Sequence, residues 1–376
     1  MIVGGQGLPE SWGFRGHIEA LSRQIEFLEV RLNELIVGTP KPGLKKAGQH
    51  LLKVCGQVKQ EARSFANGLN GLASENQWAR WIGTERKSRA LSADCLALEQ
   101  SIHFRGEGRL ERLCIAADRL AESLSNLVGD SRPHYVLVSE AEHFGADASA
   151  IHLSYGHLDI WNFNRLIHEF GHLWGEEAGN GDEGAQTLFL ENLKNWTPRQ
   201  GKEFFADIMA TYLAGPAFAY PCLLLDFNPA DRVRSESHPA QDERAHCILV
   251  ALNFIAKCSH EFTSEQFNGI VSQLGKSWET ARAAAGAKKT VANLDDLEYA
   301  TEVALDSLAK EIPDARYQTL SNANSVRNAI ANCGHPPAGT GAVDILNGAW
   351  LRRVAAPPED ESEIAMAALK MLLEVL

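Results

Sequence analysis

Apolar residues recur every three or four positions along the N-terminal third of the chain, and this spacing predicts amphipathic helices. Three runs carry the pattern, at residues 16–37, 44–69 and 110–127. The first is a heptad seam of Ile18, Leu21, Ile25, Leu28, Leu32 and Leu35. About three heptads per helix fit two arrangements, an intramolecular bundle or a coiled coil through which the chain self-associates.

The pattern changes after residue 131. Residues 134–138 and 150–155 are short runs of β-favouring side chains, so two strands are predicted there. The 3.6-residue period then returns in a helix that Asp159 caps and that ends near Gly175. Further helices are predicted at residues 241–258, 264–285, 294–312 and 361–376.

A helix with a clear beginning lies between these segments. Thr197 is the predicted N-cap, Pro198 occupies the first helical position, and Gln200 completes a capping box. Gly215 and Pro216 end the pattern.

Composition restricts the classes of partner. Lys and Arg number 36 against 48 Asp and Glu, and the net charge of −12 repels nucleic acid and anionic membranes. We find no basic and apolar leader at the N-terminus and no run of about 20 apolar residues. Seven Cys without a CxxC pair indicate reduced thiols. We therefore expect a soluble, cytoplasmic protein with neither nucleic acid nor membrane as partner.

The helix after Asp159 contains an HExxH sequence, formed by residues 168–172. On a helix this spacing places His168 and His172 on one face, where both imidazoles can bind the same zinc ion. Glu169 then lies beside the metal and is suited to act as a general base toward zinc-bound water.

A catalytic zinc ion needs a third protein ligand. The extended pattern HExxHxxGxxH fails, because Ala178 stands where its third His belongs. A Glu on the following helix is the alternative: Glu203 can bind zinc while Asp207, four residues later, orients a ligating imidazole. The competing third ligands are Glu176, Glu177, Asp182, Glu183 and Glu191.

This pattern resembles the gluzincin metallopeptidases, in which HExxH is followed on a second helix by Glu and, four residues later, Asp. The match covers about 50 of 376 residues and depends on His168, Glu169, His172, Glu203 and Asp207. The 31 residues from His172 to Glu203 exceed the interval of the thermolysin-like branch and leave the subfamily open. The resemblance implies a small sheet whose edge strand, at residues 150–155, aligns a peptide above the metal.

The resemblance also implies a His or Tyr, located after the zinc helices, that donates to the oxyanion. His238 lies in an irregular segment there, followed by the stiffening Pro239. Arg244, Tyr212 and Tyr220 are further candidates for this role. The alternative for His238 is an ordinary surface side chain.

Together these features predict an α+β protein that is predominantly α-helical, with a small β-sheet next to a two-helix zinc site. The expected regions are an N-terminal helical region (1–130), a gluzincin-like core (131–260) and a C-terminal helical region (261–376). The expected function is hydrolysis of a peptide or protein substrate, with one zinc ion per chain and Glu169 and His238 as catalytic residues. The alternative is a non-catalytic helical scaffold or regulator with a structural or vestigial zinc site.

Overall fold

The computed structural model describes residues 10–39, 42–67, 75–105, 108–130, 135–139, 143–145, 150–154, 159–177, 184–231, 233–259, 261–286, 293–332 and 334–375. Within these ranges helices dominate, as predicted, and three short strands are present. The strands are β1 (Tyr135–Ser139), β2 (His143–Gly145) and β3 (Ala150–Ser154), and they form one sheet in the order β1-β3-β2. The sequence predicted β1 and β3 but missed the three-residue β2. Because β3 lies between β1 and β2, it is not the edge strand that the resemblance implied, and that expectation is wrong.

The helices in the described ranges are α1 (Glu10–Gly38), α2 (Pro42–Asn67), α3 (Glu75–Phe104), α4 (Gly108–Leu127), α5 (Phe163–Glu177), α6 (Ala185–Asn192), α7 (Pro198–Ala214), α8 (Pro216–Pro221), α9 (Gln241–Lys257), α10 (Glu261–Ala284), α11 (Leu294–Glu311), α12 (Ser321–Ala331), α13 (Ala342–Arg353) and α14 (Glu361–Glu374). None of them combines the length and apolar character needed to cross a membrane.

The helices group into two compact units, one with α1–α3 and one with α4–α14. The division of the chain at residues 130 and 260 stays a prediction. In the first unit, the predicted seam of α1 is buried from Ile18 to Leu32, and α1 packs on α2. At the end of the seam Ile36, rather than Leu35, is buried. Self-association through these helices stays a prediction.

The second unit contains the predicted zinc helices, α5 and α7, which pack against each other. A glycine permits their close approach, because a Cβ atom at Gly171 would lie 2.7 Å from the carbonyl oxygen of Ala206. Gly171 belongs to the HExxH sequence and Ala206 lies between the two predicted acidic positions of α7. The contact therefore holds the candidate ligands of the two helices next to one another.

The beginnings of both helices follow the predicted capping. The Asp159 side chain accepts a hydrogen bond from the backbone of Trp161, in a 3₁₀ turn that leads into α5. At α7 the Thr197 hydroxyl accepts from the Gln200 backbone at 3.2 Å, and the Gln200 side chain accepts from the Thr197 backbone at 3.0 Å. The predicted capping box is confirmed. Helix α7 ends before Gly215, whose φ of 56° favours glycine.

Candidate metal centre

The two histidines of α5 and one glutamate of α7 converge on a single point. The Nε2 atoms of His168 and His172 lie 3.1 Å apart. One carboxylate oxygen of Glu203 lies 3.4 Å from the His168 Nε2, and the other lies 3.3 Å from the His172 Nε2. These three residues, the ligand group, are the one set found among the described residues that could hold a metal ion.

The spacing of the ligand group fits a small tetrahedral ion. Zinc bonds of about 2.0–2.1 Å in a tetrahedral shell place neighbouring ligand atoms about 3.3–3.4 Å apart. The two Nε2 atoms lie 3.1 Å apart, and each lies 3.3–3.4 Å from a carboxylate oxygen of Glu203, a different oxygen for each histidine, so all three distances are close to that edge length. Two imidazole nitrogens and a carboxylate oxygen are also a donor set that zinc accepts. The residues therefore fit zinc in both chemistry and spacing.

Asp207 fixes the orientation of the first histidine. Its Oδ1 atom lies 2.9 Å from the Nδ1 of His168. Because Asp207 holds the Nδ1 side of the ring, the Nε2 atom of His168 faces the ligand group and is the atom that would bind a metal. Asp207 is fully buried, so the imidazole is held from inside the protein. This is the position that the sequence pattern predicted for Asp207.

Arg244 of α9 completes this buried network. Its Nε donates to the Oδ2 of Asp207 at 2.7 Å and its Nη2 donates to the Oδ1 at 2.8 Å. The guanidinium also lies over the ring of Phe227, 5.0 Å from its centroid. From the sequence, Arg244 was only a candidate oxyanion donor, and its contact with Asp207 was not predicted. No local signal links positions 37 residues apart on different helices.

The charges of the site shift the pKa values of its members. Burial would lower the pKa of His168, but hydrogen bonds to Asp207 and Glu203 outweigh it and raise the value to about 10. Burial would raise the pKa of Asp207, yet Arg244 and His168 hold it below its ordinary value. The two histidines likewise hold the pKa of Glu203 well below its usual range, against the effect of burial. Both carboxylates are therefore ionised at neutral pH and favour a bound cation.

The ligand group lies in a cleft with a volume of about 720 Å³. Glu169 and His238 also line this cleft, so every member of the predicted catalytic set faces the same space. Phe218 forms one apolar wall, with its ring parallel to the His168 imidazole and centroids 6.5 Å apart. The cleft is large enough for more than a single side chain.

His238 reaches the edge of the ligand group. Its Nε2 atom lies 3.9 Å from a carboxylate oxygen of Glu203, and its side chain is 61 % exposed. A short turn holds the residue, because the Ser235 backbone donates to the His238 carbonyl at 2.9 Å. Tyr212 and Tyr220, by contrast, are buried in the core and do not line the cleft. The prediction that one of these two tyrosines donates to the oxyanion is therefore wrong.

Among the described residues, none of the competing candidates for the third ligand belongs to the ligand group. Glu176 lines the cleft but pairs with Lys202 at 3.0 Å. Glu191 is exposed on α6 and is absent from the cleft lining. The other candidates lie outside the described residues, namely the side chain of Glu177 and all of Asp182 and Glu183.

Comparisons with models of protein families, with curated proteins and with solved structures find no match to this chain. The resemblance to gluzincins therefore depends on the motif residues alone. A function must be inferred from the chemistry of the cleft.

Proposed function

We propose that the protein is a zinc-dependent metallopeptidase that resembles the gluzincins. One observation carries the proposal: the Nε2 atoms of His168 and His172 lie 3.1 Å apart, and each lies within 3.4 Å of a carboxylate oxygen of Glu203, in a cleft that Glu169 also lines. The donor set, the spacing and the neighbouring carboxylate are those that hydrolysis by a metal-activated water requires.

The ligand group holds one zinc ion per chain. When bound, zinc polarises a water molecule and lowers its pKa to about 7. Asp207 keeps the Nδ1 proton of His168 in place, so that Nε2 faces the metal. The carboxylate of Glu203 supplies a negative charge from the neighbouring helix.

The reaction itself is assigned to two residues of the chain. Glu169 accepts the proton of the attacking water at its carboxylate and passes it to the leaving amide nitrogen. His238 donates a hydrogen bond to the oxyanion of the tetrahedral intermediate. Its position beside Glu203 and its exposed ring leave it free to approach a substrate carbonyl.

The alternative function is a non-catalytic scaffold with a structural zinc site. Such sites are usually closed by four protein ligands. Among the described residues the ligand group has three members, and they face a cleft of substrate size. These observations favour the enzyme.

Metal analysis combined with a cleavage assay tests the proposal. We expect about one zinc per chain and cleavage of a peptide library that a chelator abolishes and zinc restores. Glu169→Gln removes the base without removing a ligand, so it should retain zinc while activity falls by about 10²-fold or more. Glu191→Gln is the matched control, because Glu191 is exposed outside the cleft.

Two results would contradict the proposal. One is full zinc content in a variant that lacks both His168 and His172, which would place the metal elsewhere. The other is equal, zinc-dependent cleavage by the wild type and Glu169→Gln, which would assign the base to another residue.

A further inference from the structure

The cleft follows α5 for more than three helical turns. Asn164, His168, His172 and Glu176 are spaced four residues apart on one face of the helix, and all four line the cleft. The first and the last are twelve positions apart, which is about 18 Å at 1.5 Å per residue. A peptide in extended conformation, at about 3.3 Å per residue, places about five residues along that length.

The ligand group lies in the middle of this length. The midpoint between His168 and His172 is six residues, or about 9 Å, from both Asn164 and Glu176. Two to three substrate residues therefore fit on each side of the metal position. An exopeptidase needs a cleft that is short on one side, so that a chain terminus lies next to the metal.

The charges at both ends of the cleft are compensated. At the Glu176 end, Lys202 pairs with Glu176 at 3.0 Å. At the Asn164 end, the Arg165 Nη2 lies 3.3 Å from Asp226, and Asn164 donates to the same carboxylate at 2.8 Å. These charged side chains at the two ends of the cleft are therefore already paired with side chains of opposite charge.

The other two arginines of the described cleft lining are paired as well. Arg199 lies 3.6 Å from Glu236, and Arg244 is bound to Asp207 at 2.7 Å. A terminal ammonium or carboxylate is held most strongly by an ionised group of opposite charge. Because the Lys and Arg side chains of the described lining are paired with acids of the protein itself, and Glu176 and Asp226 are paired in turn, the cleft favours an uncharged, internal stretch of backbone.

We infer that the protein is an endopeptidase, which binds about five residues of an extended peptide across the ligand group and cuts near their middle. This inference rests on the proposed metallopeptidase function. It names the class of substrate: internal peptide bonds with at least two residues on each side.

Peptide pools with both ends blocked test the inference directly. The probes are random peptides of three to nine residues, acetylated at the N-terminus and amidated at the C-terminus, with products identified by mass spectrometry. We expect zinc-dependent cleavage in pools of five residues or longer, at least two residues from either end, and a loss of about 10²-fold or more in Glu169→Gln. Release of single residues from peptides with a free terminus, with the blocked pools intact, would overturn the inference while leaving the metallopeptidase function standing. If blocked and free peptides alike stay intact in the zinc-loaded protein, the proposed function fails and the inference fails with it.

Binding provides a readout that does not depend on turnover. Glu169→Gln should bind a blocked peptide from the cleaved pool without converting it, and truncation should weaken binding once fewer than about five residues remain in the cleft. Unblocking either terminus should change the dissociation constant less than twofold. A tenfold gain on unblocking one terminus would show a site for that terminus and would contradict the inference.

A charge variant tests the role of the compensated ends. Glu176→Gln removes the partner of Lys202 and leaves an uncompensated ammonium in the cleft. We expect this variant to increase the preference for peptides with a free C-terminal carboxylate over their amides by about two- to fivefold. Glu85→Gln, which disrupts the exposed Arg89–Glu85 pair outside the cleft, is the matched control and should leave the preference unchanged. An unchanged preference in Glu176→Gln would refute the argument from charge.

Discussion

Replacing Asp207 with alanine would leave the guanidinium of Arg244 without its charge partner. Asp207 is fully buried and the Arg244 side chain is 17 % exposed, so water can replace little of the lost interaction. Breaking a buried ion pair from one side costs about 3–5 kcal/mol, because the remaining charge stays desolvated. We expect Asp207→Ala to lower the free energy of unfolding of the zinc-free protein by about that amount.

A second replacement separates the cost of an unpaired charge from that of lost packing. Asp207→Ala/Arg244→Met removes both charges while retaining an apolar side chain of similar length at position 244. Its loss of stability should be smaller than that of Asp207→Ala alone, although it carries one more substitution. The control is Glu85→Ala, since its partner Arg89 is 76 % exposed and the pair contributes less than about 1 kcal/mol.

Urea unfolding in the presence of a chelator, followed by far-ultraviolet circular dichroism, measures these differences in unfolding free energy. A competition titration with a chromophoric chelator measures zinc affinity, which Asp207→Ala should weaken by about 10–100-fold because His168 loses its orienting partner. Our account of the network would be wrong if Asp207→Ala lowered the unfolding free energy by less than about 1 kcal/mol, or if the double variant were the less stable of the two.

Two further predictions concern the ligand group. Glu203→Ala should weaken zinc binding more than Asp207→Ala in the same titration, because Glu203 is a proposed ligand whereas Asp207 only orients one. Equal zinc affinities of the two variants would contradict this prediction. In the zinc-free protein the pKa of His168 is raised from 6.5 to about 10, so its stabilising effect is complete below pH 6.5 and is lost as the pH rises through 10. Urea midpoints at pH 6 and pH 10 should therefore differ more for the wild type than for His168→Gln, and parallel changes would count against this assignment.

The two helices that carry the candidate metal ligands were predictable because their sequence signals are local. The two histidines are four positions apart, and so are Glu203 and Asp207, and this spacing places each pair on one face of its helix. The capping residues Asp159 and Thr197 locate the helix starts without knowledge of the tertiary structure. These signals act within one or two turns, and the structure confirms both starts.

The apolar residues of helix α3 show no clear helical period, because its buried face contains both apolar and polar side chains. Leu91 and Leu98 are buried there, but so are the polar residues Thr84, Ser88 and Ser101. Ser101 donates to the carbonyl of Ala97 in the previous turn, so its hydroxyl is satisfied inside the protein. A pattern that counts only apolar side chains cannot recognise such a face.

The short helices α8, α12 and α13 were missed for a different reason. Helices of fewer than about 12 residues are marginal on their own and depend on tertiary packing. α12 and α13 pack closely, since a Cβ at Gly348 would lie 2.6 Å from the side chain of Val326. The contact of Arg244 with Asp207 is of the same kind, because it exists only once α7 and α9 are packed. Local sequence patterns carry no information on such pairs.

His238 is the member of the site whose role depends most on reactivity rather than on position. Its Nε2 is 3.9 Å from Glu203, which is too far for a hydrogen bond, and its ring is 61 % exposed. A donor that binds the oxyanion strengthens its contact only in the transition state. We therefore expect His238→Ala to retain zinc and substrate affinity while kcat falls by about 10²–10³-fold.

Steady-state kinetics and metal analysis on the same preparations test this role. His335→Ala is a suitable control, because His335 is also exposed, at 78 % of its side chain, and lies outside the cleft lining. His238→Gln retains a hydrogen-bond donor, so it should recover part of the lost kcat without a change in KM. Loss of zinc in His238→Ala would make His238 a fourth ligand and the centre a closed site, whereas an unchanged kcat would make it a surface residue. Only a fall in kcat at constant zinc content and KM is consistent with an oxyanion donor. Removal of a zinc ligand would lower the zinc content, and replacement of a surface residue would change neither the zinc content nor kcat.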